Sequence, residues 1–135
     1  KTYSIHLNIS IGGRPIERFS GDGLLVATSA GSTAYNYSLG GSIVDPRLNL
    51  LQVTPLAPMN TTAYSTFTSS ILLPSDLTIG IVPESPEKEL YVTNDGIETG
   101  YSDVSSIDVM AGDKCVNLVR FQDYDFWSKV KDKFL

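Results

Sequence analysis

The 135-residue sequence predicts a mainly β domain of the sandwich type. Three observations predict it. Short strand-forming runs recur along most of the chain. Gly and Pro turns separate them. Helical patterning is confined to two places, near 33–39 and near 125–133.

The elements follow in order. Thr2 to Ser10 alternates, with Tyr3, Ile5, Leu7 and Ile9 on one face and Ser4, His6, Asn8 and Ser10 on the other. Gly12-Gly13 supplies a hairpin turn, because glycine accepts positive φ, and Arg14 to Phe19 returns as a second strand. Gly21-Asp22-Gly23 is another turn. Leu24-Leu25-Val26-Ala27 lacks alternation, the pattern of a strand buried on both faces. Ser29-Ala30-Gly31-Ser32 is a small-residue loop. Thr33 to Leu39 follows as two helical turns stopped by Gly40-Gly41.

Leu51 to Thr54 reads as a strand ended by Pro55 and Pro58. Met59 to Ser70 is rich in Thr and Ser and reads as a loop or an edge element. Ile71 to Leu73 and Leu77 to Val82 are strands separated by Pro74-Ser75-Asp76. Leu90 to Thr93 and Ile97 to Thr99 flank Asn94-Asp95-Gly96, a hairpin signal. Val104 to Met110 and Cys115 to Arg120 bracket the turn Ala111 to Lys114. Beyond Asp125, the residues Phe126, Trp127, Val130 and Phe134 fall at helical spacing, an amphipathic helix packing on the sheets.

Composition narrows the function. With 15 acidic and 10 basic residues the net charge is −5, which disfavours nucleic acid and anionic membranes as partners. No apolar run reaches the roughly 20 residues of a membrane span. The single cysteine, Cys115, precludes an internal disulfide and fits a reducing compartment, the cytoplasm. It reads as a small strand residue. The opening residue, Lys1, lies within a strand pattern, so the chain is expected to be one domain of a longer protein.

The stretch Gly21 to Tyr35 carries the candidate chemistry. Its loop of small residues lets a ligand approach the main chain, Ser32 and Thr33 offer hydroxyls, and Tyr35 offers a flat ring for a base or sugar. The plainer reading of the same residues is a helix cap at Thr33 with Tyr35 in the core. Asp22 is either a turn residue bonded to its own backbone or a carboxylate for ribose hydroxyls, and Asp95 poses the same choice. His6 has no second ligand at metal spacing, and no metal site is expected. Neither GxSxG, GxxxxGK[ST] nor GxGxxG occurs.

The run Gly21-Asp22-Gly23-Leu24-Leu25-Val26-Ala27-Thr28, followed by Gly31-Ser32-Thr33-Ala34-Tyr35, resembles the signature of the NAD kinase family. Agreement continues in register through Leu39-Gly40-Gly41-Ser42-Ile43-Val44-Asp45-Pro46, Thr54-Pro55-Leu56-Ala57-Pro58, Leu72-Leu73-Pro74 and Val92-Thr93-Asn94-Asp95-Gly96. The closing Arg120-Phe121, Phe126-Trp127 and Phe134 resemble the end of Gram-positive bacterial members.

The resemblance implies the β-sandwich-like C-terminal domain of the NAD kinase/diacylglycerol kinase-like fold over 1–135, with an N-terminal ATP-binding α/β domain outside this chain. It implies transfer of the ATP γ-phosphoryl group, or a polyphosphate one in some members, to the 2′-hydroxyl of the NAD adenosine ribose. Mg²⁺ or another divalent cation accompanies ATP. Thr33, Ala34 and Tyr35 would line the adenosine pocket, with Ser32 also counted in the NAD site. Asp22, Ala57 and Met59 would lie near the other nucleoside, partly across the interface of a homodimer or homotetramer. Asp95 is a further candidate for the cleft.

No catalytic residue is assigned within the chain, because the family's base lies in the other domain, and the isolated chain is expected to be inactive. Ala30 stands where relatives carry a hydroxyl, and Gly96 where some carry His. Two alternatives stand beside this reading: a non-catalytic β-sandwich binding module, and the C-terminal domain of a related lipid kinase.

Overall fold

The computed structural model describes residues 4–135, so Thr2 and Tyr3 of the first predicted strand lie outside the described residues. The described residues fold as nine strands and two helices: β1 Ile5–Ile11, β2 Arg14–Gly21, β3 Gly23–Thr28, α1 Tyr35–Ser38, β4 Leu50–Leu56, β5 Ile71–Pro74, β6 Ile79–Pro83, β7 Leu90–Asn94, β8 Ile97–Tyr101, β9 Ile107–Val109 and α2 Phe126–Phe134. A 3-10 turn, Ala30–Thr33, precedes α1.

Two sheets face one another. One has the order β2-β1-β6-β9 and the other β3-β4-β5, while β7 and β8 form a separate hairpin. Leu7 and Ile9 of β1, Phe19 of β2 and Ile79 and Ile81 of β6 project from the first sheet. They meet Leu51 and Val53 of β4 and Leu73 of β5 from the second, all buried in one cluster. The predicted sandwich is therefore present. Alternation explains it, since residues two apart share a face of a strand.

Both hairpin turns have glycine chemistry. Gly12 and Gly13 take φ of 59° and 79°, and Asp95 and Gly96 take 46° and 87°. Positive φ at both central positions matches the right-handed twist of the flanking strands.

Four expectations are corrected. Leu24 to Ala27 is not fully buried: Leu24, Leu25 and Val26 are half-buried and only Ala27 is fully buried. Leu24 and Val26 pack against the core, while Ala27 is buried on the opposite face, beside Gly31. The Val104 to Met110 strand contracts to Ile107–Val109, the part paired with β6. The helix placed at 33–39 is only Tyr35–Ser38, because the backbone leaves helical geometry at Ala34, with ψ of −135°.

Cys115 to Arg120 forms no strand. Cys115 is exposed, and Val116 and Val119 are 85% and 97% exposed. A strand needs a paired neighbour, and none lies beside this segment among the described residues.

The C-terminal helix is where the spacing put it. Asp125 caps it, accepting from the N–H of Trp127. Two contacts hold it beside α1 and the loop after it: Phe134 packs on Tyr37 with ring centroids 4.5 Å apart, and Trp127 donates to Asp45.

Candidate functional site

The strand β4 has two different faces. Leu51 and Val53 enter the core, while Gln52 and Thr54 point the other way and are still buried. The segment from Ser29 to Val44 covers them. Because the cover crosses polar side chains, its backbone must be hydrogen-bonded to them. Gln52 accepts from Ser42 N–H at 2.7 Å and donates to Ser42 O at 3.1 Å. Thr54 donates to Asn36 Oδ1 at 2.6 Å. Ser32 Oγ accepts from Val44 N–H at 2.9 Å. Ser29 Oγ donates to the Leu48 carbonyl.

Helix α1 ends in a Schellman arrangement. Gly41 N–H reaches Asn36 O at 2.9 Å and Gly40 N–H reaches Tyr37 O at 3.0 Å, with Gly40 at φ +85°. The two glycines thus turn the chain back over β4.

On this framework Ser32 is buried, Thr33 is half-buried, and Ala34 and Tyr35 are exposed. Tyr35 is 59% exposed. The capped-helix reading, with Thr33 as cap and Tyr35 in the core, fails on both counts: Ala34 occupies the cap position with no side-chain bond, and the ring faces solvent.

A second cluster forms at the other end of β3. Asp22 lies where the chain passes from one sheet to the other. Its N–H donates to Leu56 O at 2.9 Å, and Met59 N–H donates to Ser20 O at 2.8 Å. The approach depends on Gly21, where a Cβ would come within 2.9 Å of Leu56 O. Asp22, Ala57 and Met59 are therefore neighbours, all exposed. Ala57 sits at φ +45°, the left-handed region that favours glycine.

The six residues of β3 separate this cluster from Thr33. At a strand's rise per residue β3 itself spans roughly 20 Å. Asp95 is exposed at the tip of the β7-β8 hairpin.

A cavity of about 430 Å³ between the start of β1 and β7 is lined by His6, Pro83, Lys88, Tyr91 and others, but by none of these site residues. Nearby, Glu84 accepts from Arg18 Nε and Nη2, each at 3.1 Å, and from Tyr64 Oη at 3.2 Å. The Arg18 guanidinium holds the Glu84 carboxyl below its ordinary range; burial opposes it, and the Tyr64 hydroxyl lowers it further. Among the described residues no three His, Cys, Asp or Glu side chains come together as a metal-binding group. No described helix is long and apolar enough to cross a membrane.

The residues that sequence reasoning missed are Asn36, Ser42, Gln52 and Thr54. A signal existed. Two polar residues alternate with Leu51 and Val53 in a strand whose apolar face is already accounted for.

A family profile described as the ATP-NAD kinase C-terminal domain matches residues 1–121. The chain belongs to the NAD kinase family. The NAD kinase of Finegoldia magna is 36% identical over 134 residues, covering 97% of this chain and 49% of that protein. NAD kinase 1 of Halalkalibacterium halodurans is 38% identical over 132 residues, covering 98% and 49%. The chain thus spans about half the length of these NAD kinases.

The same fold occurs in a crystal structure of an NAD kinase from Archaeoglobus fulgidus in complex with ATP. Its TM-score is 0.67 at 24% identity, over 82% of this chain and 40% of that one. Yeast NADH kinase complexed with NADH gives 0.65 at 31% identity, over 82% and 31%.

Proposed function

We propose that the protein containing this chain transfers the γ-phosphoryl group of ATP to the 2′-hydroxyl of the NAD adenosine ribose, yielding NADP. Residues 1–135 form its NAD-binding, β-rich domain. The observation that carries this reading is the presentation of Thr33-Ala34-Tyr35. An exposed aromatic ring and adjacent small and hydroxyl side chains sit on a fully bonded, buried framework, in a member of the NAD kinase family.

Thr33, Ala34 and Tyr35 receive the adenosine, with Ser32 fixing the turn beneath them. Asp22, Ala57 and Met59 receive the other nucleoside. Their separation along β3 fits two clusters serving opposite ends of a dinucleotide, with the Asp22 cluster reaching one held by a second copy in a homodimer or homotetramer. Asp95 borders the cleft. ATP enters as its complex with Mg²⁺ or another divalent cation, and that cation belongs to the donor substrate. The setting is the cytoplasm.

In-line transfer also needs donor positioning and a base or orienting carboxylate. In this reading the other half of the protein supplies both, so the 135-residue chain alone is inactive. The test is NADP formation from NAD and Mg-ATP. The full-length protein forms NADP and the isolated chain does not. Failure of the full-length protein overturns the function, and turnover by the chain overturns the division of labour.

A further inference from the structure

Asn36 faces away from its neighbour Tyr35. One is 1% exposed and the other 59%. The carboxamide of Asn36 accepts from Thr54 Oγ1 at 2.6 Å and donates to the carbonyls of Ser32 and Ser42 at 3.0 and 3.3 Å. A single side chain thereby ties β4, the 3-10 turn and the returning loop together. Its bond to Ser32 spans the break at Ala34, where the chain leaves the 3-10 turn and enters α1.

The arrangement has little freedom. The oxygen faces a hydroxyl donor and the nitrogen faces two carbonyls, so only a neutral amide satisfies every partner. A Cβ on Gly41 would fall on this carboxamide, so the return loop fits the amide only because position 41 has no side chain. Gln52 holds the far side of Ser42 with both of its amide atoms. Buried networks with all partners made define one conformation and are costly to disturb.

We infer that Asn36, locked by Thr54, is a positioning residue for nucleotide capture: it sets how Thr33, Ala34 and Tyr35 present themselves to NAD. The inference rests on the NAD-site reading above. Asn36 does not touch the ligand. It acts through the turn, because on a helix adjacent side chains diverge by about 100° and the inward pull on Asn36 directs Tyr35 outward.

The experiment is steady-state kinetics of the full-length protein, varying NAD and ATP separately. Thr54→Val is nearly isosteric, leaves Asn36 in place and removes one hydrogen bond. It raises the KM for NAD by about three- to tenfold, with the KM for ATP and kcat within about twofold of the parent. Thr54→Ser keeps the hydroxyl and restores the parent KM. Asn36→Asp, which sets a carboxylate against two carbonyls, is affected more strongly. Thermal unfolding confirms which variants are folded, and Thr54→Val carries the test should Asn36→Asp not fold.

An unchanged KM for NAD in folded Thr54→Val overturns the inference, as does a parallel rise for NAD and ATP. Tyr35→Ala separates the two levels. If it leaves the KM for NAD unchanged, the NAD-site reading fails. If it raises that KM while Thr54→Val does not, only the positioning role fails.

Discussion

The indole N–H of Trp127 donates to the Asp45 carboxylate at 2.9 Å, joining residues 82 positions apart. Asp45 also accepts from Arg47 through its backbone N–H at 2.9 Å and its guanidinium at 3.0 and 2.7 Å. The Arg47 side chain first, then its backbone N–H and Trp127, holds this carboxyl far below its ordinary value of 3.8. The contact fixes one end of α2, and the Tyr37–Phe134 ring pair fixes the other.

Asp45→Ala is therefore expected to free α2 while leaving the sandwich intact. Trp127 is the single tryptophan of the chain, so its fluorescence reports the change. Hydrogen exchange over residues 126–134 accelerates, and exchange in β1 and β4 does not. The pH dependence has a definite sign. A depressed carboxyl contributes stability that is complete above its unfolded value and is lost as pH falls through the folded one. The parent emission thus holds down to the ordinary carboxyl range and changes only in stronger acid.

Glu17 behaves in the opposite way. Burial pushes its carboxyl above the ordinary 4.5, and the Phe67 N–H, 3.1 Å away, offsets this in part. A raised group contributes stability below its unfolded value that is lost as pH rises through the folded one. Glu17→Gln keeps the acceptor for Phe67 and removes the charge. Its Tm is expected to exceed the parent's at pH 7, with the difference closing below about pH 4.5. A lower Tm at neutral pH contradicts the assignment.

Gly41→Ala tests the buried network from the other side. The added methyl falls on the Asn36 carboxamide, which three hydrogen bonds hold in place. Overpacking of this kind costs about 1–3 kcal/mol. Denaturant unfolding shows it as a lower midpoint with an unchanged slope. A midpoint equal to the parent's means that the loop moves aside freely.

What could be read from the sequence was what local chemistry decides. Alternation from Ile5 to Ile9 placed Leu7 and Ile9 in the core, and Gly12-Gly13 and Asp95-Gly96 marked hairpins, because period and positive φ are properties of the segment itself. What could not be read depended on neighbours. Leu24 to Ala27 has the same residues whether its sheet continues past it or ends at it. Cys115 to Arg120 looks like a strand and has none to pair with among the described residues.

The site divides in the same way. The residue types around Thr33 and Tyr35 were visible, but an aromatic ring fits core or surface equally well. Its orientation followed from Asn36, whose partners Thr54 and Ser42 lie 18 and 6 positions away.

Calorimetric titration of NAD into the full-length protein, parent against Tyr35→Ala, tests the central claim most directly. Saturable binding by the parent is expected, with a Kd weakened about tenfold or more in the variant, the scale of one lost base–aromatic contact. Equal affinities for the two proteins, with the variant folded, contradict it.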